Sequence, residues 1–92
     1  MDSQQKFCLE KLLEAKAELE KRKAELNLFE EQAKNNTGSE LILDAVRLRK
    51  QADIKDAQHW FNAMKDGIKT ATMQKYKVLE EVERIFRNYN IK

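Results

Sequence analysis

Proline is absent from the sequence, and glycine occurs only twice in 92 residues. These two residues end helices and form tight turns, so their scarcity argues against a loop-rich fold and against a sheet of many short strands. Charged residues make up 37% of the chain and apolar residues 41%. This balance is typical of long helices with one solvated face, and the length predicts one all-α domain spanning residues 1–92.

Cysteine and histidine occur once each, as Cys8 and His59. A single cysteine excludes an internal disulfide, and a metal site with three or four protein ligands cannot be assembled from this pair. Two glycines are too few for the glycine-rich loops that bind phosphates or dinucleotides. Carboxylates are plentiful, but their spacings suit solvation of helices better than convergence in a cleft. We therefore predict a protein that is not an enzyme and that binds neither cofactor nor metal.

Long hydrophobic runs are also missing. No apolar stretch approaches the roughly 20 residues that a membrane-spanning helix requires, and the first residues do not have the pattern of a signal peptide. Together with the single cysteine, this predicts a protein without a membrane span, located in the cytoplasm or the nucleus.

A seven-residue repeat of apolar residues runs through the first third of the chain. Leu12, Leu19, Leu26 and Ala33 follow one another at intervals of seven. A repeat sustained over about four heptads indicates a helix that packs as in a coiled coil. The first helix is predicted over about residues 3–34.

The segment "NNTGSE" (residues 35–40) is the clearest interruption of the helical pattern. Asn35, Asn36 and Gly38 tolerate the left-handed backbone conformations that end helices. Thr37 and Glu40 have the spacing of a capping box, which begins a helix. A turn at residues 35–39 therefore predicts two antiparallel neighbouring helices.

The second helical pattern begins at about residue 40 with an apolar stripe formed by Leu41, Ala45, Leu48 and Ala52. A second stripe follows at heptad spacing, and its members are Ile54, Ala57, Phe61, Met64, Ile68, Ala71, Lys75, Val78, Val82, Ile85 and Tyr89. The step from Ala52 to Ala57 is five residues. We therefore predict that the apolar stripe changes its phase once, near residues 53–56.

Gly67 leaves two arrangements open. In the first, the helix continues from about residue 40 to residue 88, and its apolar C-terminal part overhangs the first helix and needs another chain to cover it. In the second, the chain breaks at residues 66–69 and folds back as a third helix, giving a three-helix bundle. The steps from Phe61 to Ile68 and on to Ala71 keep their phase across Gly67, which favours a continuous helix.

These patterns predict an antiparallel coiled-coil hairpin that works as a protein–protein interaction module, either scaffolding or oligomerising a complex. The partner is another protein chain, as a homodimer or a hetero-complex. The residues predicted to bind it are large apolar groups of the second half: Trp60, Val78, Leu79, Val82, Ile85, Phe86 and Tyr89. Aromatic and aliphatic groups of this kind are enriched at interfaces.

An alternative function is contact with nucleic acid. Residues 1–38 carry seven basic and eight acidic side chains, and the remaining eleven basic and eight acidic ones give the second part a charge of +3. The basic side chains that could follow a phosphate backbone are Lys65, Lys69, Lys75, Lys77, Arg84 and Arg87. Acidic residues interrupt this set, so the interaction module is the first prediction. A monomeric three-helix chaperone or adaptor domain is a third, weaker prediction.

Overall fold

The computed structural model of the chain describes residues 2–35, 38–72 and 76–91, with the side chain of Tyr76 excepted. The elements in this part are three helices: α1 (Ser3–Lys34), α2 (Glu40–Thr72) and α3 (Tyr76–Asn88). The all-α prediction and the helical hairpin are confirmed. α1 and α2 pack side by side, α3 packs against α2, and the molecule measures 57 × 19 × 19 Å.

Helix α1 has the bounds that the heptad repeat predicts. It begins after Asp2, whose carboxylate accepts a hydrogen bond from the Gln5 backbone N–H at 2.8 Å. The Gln5 side chain in turn accepts one from the Asp2 backbone N–H at 3.0 Å. This capping box satisfies two amide groups that would otherwise lack partners at the start of a helix. Asn35 follows the last helical residue, while Asn36 and Thr37 of the predicted turn lie outside the described residues.

The hydrophobic core lies along the α1–α2 contact and is widest at the end where α3 joins it. Leu9, Leu12 and Leu19 of α1 are buried against Ala57 and Phe61 of α2. Half-buried apolar groups pack around this cluster, namely Leu13, Ala15, Ile54, Met64, Ile68, Val78 and Ile85. Towards the α1–α2 turn the core thins, because no side chain of residues 20–35 or 38–56 that the structure describes is fully buried.

The predicted change of phase near residues 53–56 is wrong. The side of α2 that faces α1 continues in step from Leu43 through Arg47, Lys50 and Ile54 to Ala57, at intervals of four, three, four and three. These positions are half-buried or buried, whereas Leu41, Ala45, Leu48 and Ala52 are exposed. An unbroken helix keeps one face towards its neighbour, so the early apolar stripe lies on another face of α2.

Neither predicted arrangement of the second helix is correct in its bounds. α2 runs through Gly67 to Thr72, so there is no break at residues 66–69. Residues 73–75 lie outside the described part, but the Lys69 ammonium is 5.6 Å from the Phe86 ring centre, which a single straight helix over residues 40–88 would not allow. Thr72 is buried, and its hydroxyl donates to the backbone oxygens of Ile68 at 2.9 Å and Lys69 at 3.2 Å. Such bonds compete with the backbone pattern and often accompany the bending of a helix. The chain does fold back as a third helix, but beyond Thr72.

Replacing Gly67 with alanine is expected to stabilise the fold. Gly67 is exposed inside α2, and a Cβ atom built there meets no other atom within 4 Å. Alanine therefore gains helix propensity without a clash, which is worth about 0.5–1 kcal/mol in the free energy of unfolding. Urea unfolding followed by circular dichroism measures this difference. Equal or lower stability of the Gly67→Ala chain would contradict the position of Gly67 within a regular helix.

Helix α3 ends in a way that returns the chain to the core. The Ile91 N–H donates to the Phe86 carbonyl at 2.7 Å, and the Asn90 N–H donates to that of Arg87 at 3.1 Å. Asn90 has a positive φ of 57°, as the residue after a helix has in the Schellman motif. This turn buries Ile91 beside Phe86 and Val82, which are also buried.

Candidate interaction surface

Helix α2 has apolar residues on two faces, and only one of them is covered. Towards α1 it presents Ile54, Ala57 and Phe61. The uncovered set, which we call the outer stripe, consists of Leu41, Ala45, Leu48 and Ala52. At 100° per residue its members lie within about 60° of one another on the side of α2 away from α1. Leu41 is 80% exposed and Leu48 is 66% exposed, and the exposed Ile42 lies beside them.

Polar side chains occupy the α1-facing side of the same part of α2. Arg47 donates to Glu30 of α1 and also to Asp44. The hydrogen bond with Glu30 holds the pKa of Arg47 above its usual value. Lys50 places its ammonium 5.9 Å from the centre of the Phe29 ring. In this part of α2, the charged ends of Arg47 and Lys50 face α1, whereas Leu41 and Leu48 face solvent.

A further polar contact joins the middles of the two long helices. Arg22 of α1 donates from Nη1 to the backbone oxygen of Asp53 at 2.8 Å and from Nε to Glu18 at 3.0 Å. Together with the Arg47–Glu30 pair it links α1 and α2 along the side of α2 that faces α1. The outer stripe lies on the opposite side of α2.

Trp60, predicted to bind a partner, is 67% exposed on α2. Its ring meets that of His59 edge-on, with 6.4 Å between the ring centres. Trp60 follows Ile42 by 18 residues, which is five helical turns, so both lie on the same side of α2 about 27 Å apart. The position leaves Trp60 accessible, and its role in binding stays a prediction.

The predicted partner surface on α3 is largely used within the chain itself. Val82 and Phe86 are buried in the core, and Val78, Leu79 and Ile85 are half-buried. Only Tyr89 of this set is mainly exposed. The apolar part predicted to overhang and to need another chain is covered within the chain itself, because α3 packs against α2 and its buried side chains join the common core. In this conformation Val82 and Phe86 offer no surface to a partner.

The basic residues of the second half do not form one surface. Lys65 and Lys69 are half-buried, with their ammonium groups 5.9 Å from the Phe61 ring centre and 5.6 Å from that of Phe86. Lys77, Arg84 and Arg87 are exposed on α3, but they line one shallow depression together with Glu80, Glu81 and Glu83. Lys75 lies outside the described residues. Mixed charge of this kind favours a solvated surface over a track for phosphates.

An open apolar groove, not predicted from the sequence, lies where α1 begins and α2 ends. Its volume is about 530 Å³, and its walls include Phe7, Cys8, Met64, Ile68 and Val82. The groove lies between the first turns of α1, the last turns of α2 and Val82 of α3. Nothing in the periodicity of the individual helices could reveal a space between three of them.

Within the described ranges 2–35, 38–72 and 76–91, no three histidine, cysteine or acidic side chains are grouped so that they could hold a metal ion. None of the helices in these ranges is long and apolar enough to cross a membrane. Comparison of the chain with models of protein families, with curated proteins and with solved structures found no match.

Proposed function

We propose that this chain is a non-enzymatic interaction module that binds a helix of another protein chain through the outer stripe of α2, and so helps to assemble a complex. The observation that carries the proposal is the outer stripe itself. Single exposed leucines are ordinary on protein surfaces. Four apolar residues at intervals of four, three and four along one helix form the pattern by which one helix packs on another.

The shape and surroundings of the stripe favour a helical partner. It is about 17 Å long at 1.5 Å per residue, and it is straight and narrow because all its members follow one helix. Polar side chains border it, with Asp44 and Gln51 on one edge and Arg49 and Asp56 on the other. An apolar centre with a polar rim is the usual anatomy of a protein interface. Trp60, farther along α2, is a candidate anchor for a longer partner.

The side chains of the stripe are exposed and lie outside the core cluster, so the fold does not depend on them. Leu41 and Leu48 stay mostly in water in the folded chain, so replacing them removes little buried area. A change in binding can therefore be separated from a change in folding. A chain with Leu41→Asp and Leu48→Asp is expected to keep its helicity and its melting temperature to within a few degrees.

The test compares this double variant with the wild type and with Leu28→Asp, each carrying the same affinity tag. Leu28 is a matched control, because it is 56% exposed and lies on α1, away from α2. Proteins that co-purify with each chain are quantified by mass spectrometry, and a protein that depends on the stripe is then purified and titrated directly. We expect wild type and Leu28→Asp to bind it alike and the double variant to bind at least about tenfold more weakly.

Salt dependence separates this function from binding to nucleic acid. An apolar helix interface should change little between about 50 mM and 500 mM salt, whereas binding through several phosphates should weaken by orders of magnitude. If neither a protein partner nor self-association depends on Leu41 and Leu48, the proposed function is wrong. A stripe-independent, steeply salt-sensitive binding of RNA or DNA would establish the alternative in its place.

A further inference from the structure

We infer that the partner of the outer stripe is a second copy of this chain, paired antiparallel about a twofold axis that passes between residues 46 and 47. The inference rests on the proposed function and names its partner. The order of side chains along the stripe favours this pairing. Its intervals of four, three and four are the same in both directions, and large and small side chains alternate as Leu41, Ala45, Leu48 and Ala52.

Antiparallel pairing of two such stripes places a large side chain against a small one in every layer. With the axis between residues 46 and 47, Leu41 lies opposite Ala52 of the second copy and Ala45 lies opposite Leu48. Each layer then holds one leucine and one alanine. The two helices can therefore keep one separation along the whole contact, near the lower end of the 8–10 Å range of packed helices.

Parallel pairing does not have this property. It would place leucine against leucine and alanine against alanine in successive layers, so that wide and narrow layers alternate and voids remain at the alanines. It would also bring two helix N-termini together, along with the acidic Glu40 and Asp44 of both copies. Antiparallel helices oppose their dipoles and separate these charges.

The residues at the edges of the stripe agree with the antiparallel register. Asp44 comes nearest to Gln51 of the second copy, and Ile42 comes nearest to the stem of Arg49. Neither edge places like charges directly opposite each other. Because Ile42 is largely exposed in the single chain, its burial against an arginine stem would add apolar area to the contact.

The inferred dimer is elongated and weak. The copies overlap over about 20 Å, residues 40–53 at 1.5 Å each, so two molecules of 57 Å give a length of about 95 Å. One short helix pair buries less than the roughly 1,200 Å² of a stable specific interface, which places this contact among transient ones. Association should therefore depend on concentration in the micromolar to millimolar range.

The experiment is sedimentation equilibrium of the full chain from about 10 µM to 1 mM, with four variants. Wild type and Leu28→Asp should dimerise alike, and Leu41→Asp with Leu48→Asp should remain monomeric. Ala52→Leu should weaken dimerisation about tenfold, because a second leucine overfills the layer that holds Leu41. Leu41→Ala combined with Ala52→Leu exchanges large and small in that layer and should restore the affinity to within about threefold.

Whether Ala52→Leu weakens or strengthens dimerisation tests the antiparallel register. Unspecific apolar clustering would strengthen when an alanine becomes a leucine, and that result would overturn the antiparallel pairing. A wild type that stays monomeric at 1 mM would overturn self-pairing, while a purified protein that binds through Leu41 and Leu48 would still support the proposed function. A dimer unaffected by the two aspartates would show that the contact lies elsewhere and would overturn the inference.

Discussion

Leu12→Ala is expected to remove a third or more of the stability of this chain. Leu12 has no exposed surface and belongs to the core cluster that also contains Phe61 of α2 and Val82 of α3. Deleting a buried leucine side chain costs about 2–5 kcal/mol, because the lost contacts leave a cavity that the neighbours fill only in part. Ninety-two residues correspond to a total stability of about 5–14 kcal/mol, and a slender molecule belongs at the lower end.

The measurement is thermal and urea unfolding, with Leu28→Ala as the control. Both variants make the same chemical change on α1, but Leu28 is exposed and its replacement should change the free energy of unfolding by no more than about 0.5 kcal/mol. Leu12→Ala should lower the melting temperature by about 10–30 °C at this chain length. Equal losses in the two variants would contradict the core as described.

Helix α1 and the hairpin could be predicted from the sequence because several signals agree there. The heptad positions Leu12 and Leu19 are buried as expected, and the predicted bounds of α1 match the observed Ser3–Lys34. The single group of turn-forming residues lies between α1 and α2. Where local propensity, periodicity and turn chemistry all point to one structure, a single sequence is sufficient.

The face of α2 was harder to predict because two apolar stripes compete in its first half. Leu41 and Leu48 are more apolar than Arg47 and Lys50, so periodicity alone assigns the leucines to the core. The structure places the long polar side chains inwards, because their stems pack on α1 while Glu30 and Phe29 receive the charged ends. Counting from Ala57 and Ile54 towards the N-terminus of α2 at alternating intervals of three and four leads to Lys50 and Arg47. This count would have assigned these two residues, and not Leu41 and Leu48, to the side that faces α1.

The position of the second break lacked a signal in the sequence. α2 ends at Thr72 and α3 begins at Tyr76, and the residues between them, Met73, Gln74 and Lys75, include neither glycine nor proline. The apolar pattern also continues from α2 into α3. Periodicity correctly indicated that the last part must be buried, but burial in the same chain and burial in a second chain produce the same pattern.

Val82→Asp decides between these two kinds of burial, and its expected effect is the detachment of α3. Val82 is almost fully buried among apolar core side chains, which offer a carboxylate no hydrogen bond. An unpaired buried charge costs several kcal/mol, so the chain should instead release α3 into water. A free 13-residue helix is marginally stable, so circular dichroism should lose about one sixth of the helical signal, 13 of 78 helical residues.

Arg84→Asp is the matched control, because it also introduces an aspartate into α3, two residues after Val82 and at an exposed position. It should keep its helicity, whereas trypsin should remove the C-terminal part of the Val82→Asp chain much faster. Both α2 and its outer stripe would persist, so self-association should survive the loss of α3. If Val82→Asp instead abolished self-association and left monomer helicity and stability unchanged, α3 would be an overhang that meets another chain, and the folded-back bundle would be wrong.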